Sequence, residues 1–381
     1  MLTPCVVIKA TQEILINENN KPFYSVKQIF QENWEDYLKT HTVREIERVE
    51  VEKMLTCKDE SRGGFWYYCK NCNEYLFLPF GCNSRLCSCC GKRYADQWSS
   101  MLAEKMIKDI FHRHIVFTIP EMLWKYFHKD RSLYKVLMDI SNQTVRKVFS
   151  RMKRKNISPG IIEVFHPFGK DLKHHPHVHM IATEGGFDEQ GNFVHLGNYI
   201  SYKSLHKVWE YLILKALRKR LPSGVADEAY RKYPDGFCVY VREDRILSRK
   251  GFAKYIGRYV RHPAIANSRI TAYNGEAVRF NWKDHGDRIN YKIMLAHDFI
   301  SAIIQHIPEK NQKLIRYYGI YSRRKNKFLK SSITKIITVK SSEGRSCYCP
   351  KCHERMDFVF YSRKDVPPDK KRIVTWLEMK R

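Results

Sequence analysis

Acidic side chains are scarce in this chain: 40 Asp and Glu stand against 68 Lys and Arg in 381 residues, a formal net charge of +28. That deficit excludes a self-neutralised surface and points to a polyanionic partner, of which nucleic acid is the commonest. Long apolar runs are missing too. No stretch of about 18 apolar residues occurs, so no membrane span is expected. The opening MLTPCVVIKA has no basic start, extended apolar core or small-residue cleavage site of a secretion signal, so a cytoplasmic, nucleoid-associated protein is expected. Neither an internal repeat nor a low-complexity segment is visible. What remains is enough chain for two or three domains, with 43% hydrophobic and 13% aromatic residues to build cores.

Twelve cysteines are present, and their placement is uneven. Six fall between Cys69 and Cys90 and three between Cys347 and Cys352, while Cys5, Cys57 and Cys238 stand apart. Clusters in a reducing compartment mean metal rather than disulfides. Two Cys-x-x-Cys knuckles, Cys69 with Cys72 and Cys87 with Cys90, are separated by fourteen residues. That spacing predicts a four-thiolate structural zinc ribbon, each knuckle supplying two ligands from a tight turn. Cys57 and Cys82 are left as substitutes or as members of a second site, and Cys89 is also left over. Arg85, Lys92 and Arg93 are interleaved with these ligands, which favours DNA contact over a purely structural role. Cys347, Cys349, Cys352 and His353 crowd four ligands into seven residues. They cannot easily close on one ion, and read as half a zinc site completed from elsewhere.

Apolar spacing predicts one or two amphipathic helices over residues 25–55, and helices over 121–155 and 203–221. Strands are predicted over 113–120, 161–169 and 177–183, with a shorter one at 239–244. Strand side chains alternate faces, so His177 and His179 in HHPHVHMIAT point the same way. Neutral imidazoles so placed grip a divalent metal. His166, on the strand IIEVFHPFG, reaches the same face if the two strands pair. Three protein ligands with open positions describe a catalytic metal rather than a structural one. His174 and His175 rank lower, because Pro176 is expected to interrupt the ladder.

In GFAKYIGRYVRH, Tyr255 and Tyr259 lie one helical turn apart. Phe252, Ile256 and Val260 form a neighbouring stripe, so core aromatics are the plain alternative. Lys254, Arg258 and Arg261 make a cationic row beside the phenols that suits a phosphate backbone. Twin phenols, cations and a histidine metal site together point to nucleophilic attack on phosphodiesters. A phenol with its usual pKa of about 10 is a poor nucleophile at neutral pH, and a divalent ion at the scissile phosphate addresses the electrophile's side of that difficulty.

The segments HPHVHMIATEGG, YIGRYVRHPAIANSRI and FISAIIQHIPEKNQKLIRYYGIYS resemble the two-tyrosine HUH transposases of the insertion sequence ninety-one type. The block CKNCNEYLFLPFGCNSRLCSCCGKR resembles the zinc-binding domain at the N-terminus of that family. Together the motifs cover about residues 30–320 in the family's order. The resemblance implies an α+β fold: an HUH endonuclease domain with a central antiparallel sheet flanked by helices, preceded by a helical and zinc-ribbon domain. The expected division is residues 1–98, 99–322 and a basic C-terminal region 323–381 with a small cysteine cluster. It further implies rolling-circle transposition on single-stranded DNA at transposon ends and target, with 5′-phosphotyrosine intermediates and Mg²⁺ or Mn²⁺. By that likeness His177 and His179 are the HUH pair and Tyr255 and Tyr259 the nucleophiles. Relatives often carry glutamine where this chain has His166, which makes the third ligand less fixed than the pair. A plasmid replication initiator or relaxase, and a non-catalytic zinc-containing DNA-binding regulator, are the other readings of the same features.

Overall fold

The structure is a computed structural model, and it describes residues 24–105, 107, 110–197, 202–247, 264–284, 286–322 and 347–362. Among the described residues, two amphipathic helices come first, α1 (Val26–Thr40) and α2 (Glu45–Leu55). The Ser25 hydroxyl caps α1 by accepting from the Gln28 amide at 3.1 Å. A hairpin of β1 (Gly64–Cys69) and β2 (Glu74–Pro79) follows, then helix α3 (Ser88–Lys105). Next come β3 (His112–Thr118), α4 (Glu121–Lys129), α5 (Leu133–Lys153), β4 (Ile161–Phe168) and β5 (His174–Thr183). A small hairpin, β6 (Gly185–Phe187) with β7 (Phe193–His195), leads to α6 (Tyr202–Leu217), α7 (Val225–Lys232) and β8 (Val239–Val241). The later elements are β9 (Ile270–Tyr273), β10 (Ala277–Lys283), β11 (Ile289–Leu295), α8 (Ala296–Ile304), β12 (Ile315–Tyr318) and β13 (Asp357–Ser362).

The central sheet has the order β12-β4-β5-β3-β8, and each neighbouring pair is antiparallel. With helices against it, this is the expected α+β architecture. Alternation along β5 explains its position. Val178, Met180 and Ala182 are fully buried on one face, where they meet Leu137 and Phe149 of α5 and Trp209 and Ile213 of α6. The opposite face carries the histidines and is closed toward one end by Trp98 and Leu102 of α3, packed on Ile162, Val164 and Ile181. One face is therefore core, and the other is half cover and half site.

Pro176 does not break β5. The strand runs through it, with His166 opposite His177 and Phe168 opposite His174. Between those pairs β5 uses one residue more than β4, so the residue without an N–H sits in a bulge rather than in the regular ladder.

A second core joins parts of the chain that are distant in sequence. Ile29, Phe30 and Trp34 of α1 and Met54 of α2 pack with Val278 and Phe280 of β10 and Phe299 and Ile300 of α8. The N-terminal helices are thus seated on the β11-β10-β9 sheet. Among the described residues, no helix is long and apolar enough to cross a membrane.

Candidate active site

Strand register assembles the histidines. His166 of β4 lies directly across from His177 of β5, and the two-residue period turns His179 to the same side. Their ligand nitrogens all lie within 4.8 Å of one another, with 3.1 Å between the Nε2 atoms of His177 and His179. Nδ1 of His177 is 2.7 Å from the carbonyl oxygen of His175. A carbonyl only accepts, so that nitrogen carries the proton and Nε2 presents its lone pair. Nδ1 of His179 is 3.0 Å from Nε2 of His114 on β3. With Nδ1 of His179 as the donor, its Nε2 is likewise left with a lone pair facing the site.

Burial first, and neighbouring imidazoles second, push His177 and His179 well below the ordinary histidine range. Burial and the Arg242 charge push His114 down to about 3. His177 and His179 are therefore neutral at physiological pH, the state in which imidazole ligates. Three imidazoles converging on one point fit a divalent cation of borderline softness. The two alternatives separate clearly: His174 turns to the helical side, with Nε2 3.1 Å from the Tyr134 hydroxyl, whereas His175 lines the same cavity as the triad.

That cavity has a volume of about 2000 Å³, and the four imidazoles of His114, His166, His177 and His179 line it together with Arg85, Lys170, Arg242, Arg269, Lys310 and Lys313. Arg269 donates to the Asn281 carbonyl at 2.6 Å and also to that of Lys170, bracing the β4–β5 turn against β10. Tyr240 of β8 is 56% exposed, lines the cavity and sits across from Val116, which in turn faces His179. Of the cations read from sequence, Arg85 reaches this cavity. Lys92 and Arg93 instead line a separate cavity of about 280 Å³ with Cys89, Asp96 and Gln97. Lys254, Tyr255, Arg258, Tyr259 and Arg261 lie outside the described residues.

The cysteines group differently from the predicted ribbon. Cys87 and Cys90 converge with Cys57 and Cys82, all four buried, with 3.4 Å between the sulfurs of Cys57 and Cys87 and 3.7 Å between those of Cys57 and Cys90. Cys69 and Cys72 do not join them; they face Cys349 and Cys352. The two knuckles are parted because packing draws Cys57, Cys82, Cys87 and Cys90 into the core around α1 and α2, while β1 pairs with β13. Spacing along the chain reports local closure only, and both groups are completed by residues outside the two knuckles.

Residues 160–328 match the family model described as "Putative transposase", and residues 29–119 match that of the "Transposase zinc-binding domain". The chain is 30% identical over 320 residues to "Transposase for insertion sequence element IS801" of Pseudomonas savastanoi pv. phaseolicola, covering 78% of this chain and 76% of that protein. It belongs to the IS91/IS801 family of transposases. A further relative, "Putative transposase y4qJ" of Sinorhizobium fredii, is 27% identical over 321 residues, or 78% and 80% of the two chains. No solved structure matches. The first match spans the histidine strands and the second the cysteine block between Cys57 and Cys90, so this transposase carries structural zinc in its N-terminal part and acts on DNA.

Its affinity for DNA is expected to fall steeply with salt, because each neutralised phosphate releases condensed counterions. A titration between low and moderate salt should give a log–log slope corresponding to several phosphate contacts. A flat dependence would mean that the excess of 28 positive charges is not what meets the DNA.

Proposed function

We propose that this transposase cuts and rejoins single-stranded DNA through 5′-phosphotyrosine intermediates in rolling-circle transposition. The observation that carries the reading is the convergence of His166, His177 and His179 within 4.8 Å in a large cavity rimmed by cations. These three residues would hold Mg²⁺ or Mn²⁺. Such an ion, when bound, withdraws charge from a phosphate and so eases nucleophilic attack on it.

The protein's own groups do the rest. The His175 carbonyl and the His114 ring fix the proton positions of His177 and His179, keeping one lone pair of each aimed inward. Arg85, Lys170, Arg242 and Arg269 offer positive charge along the cavity for a sugar–phosphate backbone. The exposed ring of Tyr240 supplies a face on which an unpaired base stacks without regard to sequence. Tyr255 and Tyr259 are the nucleophiles, flanked by Lys254, Arg258 and Arg261. Their segment is bracketed in sequence by residues of the cavity wall, Asp244 before it and Ala264 after it.

In the chemical step a phenol gives up its proton as its oxygen bonds to phosphorus, the bond to the 3′ oxygen breaks, and that oxygen takes up a proton and leaves as a 3′ hydroxyl. The phosphoester is exchanged rather than hydrolysed, so the reverse attack by a 3′ hydroxyl reseals the strand with no ATP. Two tyrosines allow one DNA end to stay covalently held while a second strand is cut. Zinc held by Cys57, Cys82, Cys87 and Cys90 shapes the N-terminal part, and the enzyme works in the cytoplasm at the nucleoid.

The test is incubation of the protein with single-stranded DNA carrying the transposon end and Mn²⁺, followed by mapping of the cut and of the peptide left on the DNA. A peptide containing Tyr255 or Tyr259 on the 5′ end is expected. A cut with a free 5′ phosphate, or one that requires duplex DNA, would overturn the proposal.

A further inference from the structure

In the group formed by Cys69, Cys72, Cys349 and Cys352, the first two lie within the stretch matched as a zinc-binding domain, whereas Cys349 and Cys352 lie beyond both matched stretches, so neither match assigns the four together. The sulfurs of Cys69 and Cys352 are 3.5 Å apart and those of Cys72 and Cys349 are 3.8 Å apart. A tetrahedron of Zn–S bonds about 2.3 Å long has edges of about 3.8 Å, whereas a disulfide is about 2.05 Å. Both halves have the build of a ligand knuckle. The Cys72 amide donates to the Cys69 sulfur at 3.4 Å, and the His353 amide donates to the Cys349 carbonyl at 2.9 Å. Each turn ends in a left-handed residue, Asn73 at φ 53° and His353 at φ 58°.

Among the described residues, the surrounding sheet has a small buried core, with half-buried aromatics such as Trp66, Phe77 and Phe360 packed across its other face. Its order is β13-β1-β2, and its own cluster of buried residues is Cys69, Cys349 and Met356. Phe65, Phe358 and Tyr361 are between 41% and 51% exposed. A three-stranded sheet with so small a core is marginal in water. Two cross-links between the halves, Lys70 to Asp357 at 2.8 Å and Lys351 to Glu74, are exposed ion pairs and contribute little. The sulfurs are therefore the centre of this module rather than an ornament on it.

We propose that Cys69, Cys72, Cys349 and Cys352 bind a second structural zinc ion, which clasps the C-terminal strand onto the N-terminal hairpin across a sequence separation of 277 residues between Cys72 and Cys349. The ion closes the chain into a loop, with the catalytic sheet lying between its two halves. Cys347, packed beside this group but outside it, is not a ligand.

The test is the content of thiolate-bound zinc, released when the thiols are titrated with a mercurial so that any ion at the histidines is not counted, in the full-length protein and in serine variants, with the Cys57 group as an internal control for folding. Two ions per chain are expected in the wild type and in Cys347→Ser. One ion is expected in Cys349→Ser/Cys352→Ser, one in Cys69→Ser/Cys72→Ser, and still one when all four are changed, since both pairs serve the same site. Combining Cys349→Ser/Cys352→Ser with Cys87→Ser/Cys90→Ser should leave none. Two ions retained in Cys349→Ser/Cys352→Ser would overturn the site, as would loss of both ions in the four-serine protein. Limited proteolysis of Cys349→Ser/Cys352→Ser should release the C-terminal segment about tenfold faster than in wild type. An unchanged rate would overturn the clasp.

Discussion

Tyr255→Phe/Tyr259→Phe is expected to fold and to bind single-stranded DNA with near-normal affinity, yet to form no covalent adduct. Phenylalanine keeps the ring and its packing and removes only the oxygen that reacts. If these tyrosines were core aromatics, the double variant would be nearly silent. If they are the nucleophiles, joined product should fall by about 10⁴-fold or more, the scale seen when a reacting group is deleted. The single variants should differ from the double. With one phenol left, a first cut and one covalent joint remain available, but coordinated excision and transfer should fail. The readout is a denaturing gel of protein against labelled single-stranded DNA bearing the transposon end. A persistent adduct in the double variant would refute the assignment and reopen the other 21 of the chain's 23 tyrosines.

Replacing either central histidine should be nearly as damaging, and in a separable way. His177→Ala and His179→Ala each leave fewer ligands for the ion, and His179→Ala also removes the 3.0 Å contact with Nε2 of His114. Strand cleavage should be lost by about 10²-fold or more while DNA binding changes little, because the charges that meet the backbone are elsewhere on the cavity wall. His114→Leu should behave differently. It removes an orienting partner and not a ligand, so the Mn²⁺ concentration for half-maximal cleavage should rise about 10- to 100-fold, with activity recovered at saturation. Mn²⁺ should serve at least as well as Mg²⁺, since imidazole suits the softer ion. Full cleavage by His177→Ala/His179→Ala in EDTA would remove the metal from the mechanism.

The parts of this architecture that were legible in the sequence are those with a local period. Short β-branched apolar runs in RHIVFT, IIEVF and HVHMIAT give β3, β4 and β5 to within a few residues, and the two-residue period of a strand puts His177 and His179 on one face. Pairing of β4 with β5 then brings His166 opposite His177, because only a short turn separates the strands. The β9–β11 sheet was not read. Its strands mix polar and apolar residues, and β11 is half-exposed along its length, so neither template stands out. His114 was also missed, although His112 and His114 repeat the one-apart signature of the central pair. That signature alone is ambiguous: Nε2 of His112 is 2.6 Å from the Tyr321 hydroxyl, a structural contact, while His114 turns to the site. The cysteine grouping was misread for a different reason, since the partner strand of β1 is nearly three hundred residues away.

That distance has a consequence for how the chain comes to be folded. Tyr67 of β1 faces Phe358 of β13, a separation of 358 − 67 = 291 residues. Closing so long a loop adds little to the equilibrium cost, which grows only with the logarithm of length, by about 0.6 kcal/mol per doubling. The kinetic effect is larger, because contacts this far apart form late. During synthesis β1 and β2 emerge early and must wait, one edge lacking its neighbour, while the histidine sheet is translated and folds. An edge of that kind invites pairing with other chains, and the arrival of β13 ends the exposure. Closure of the small sheet is in this sense a maturation step: it reports that the catalytic sheet has already been made.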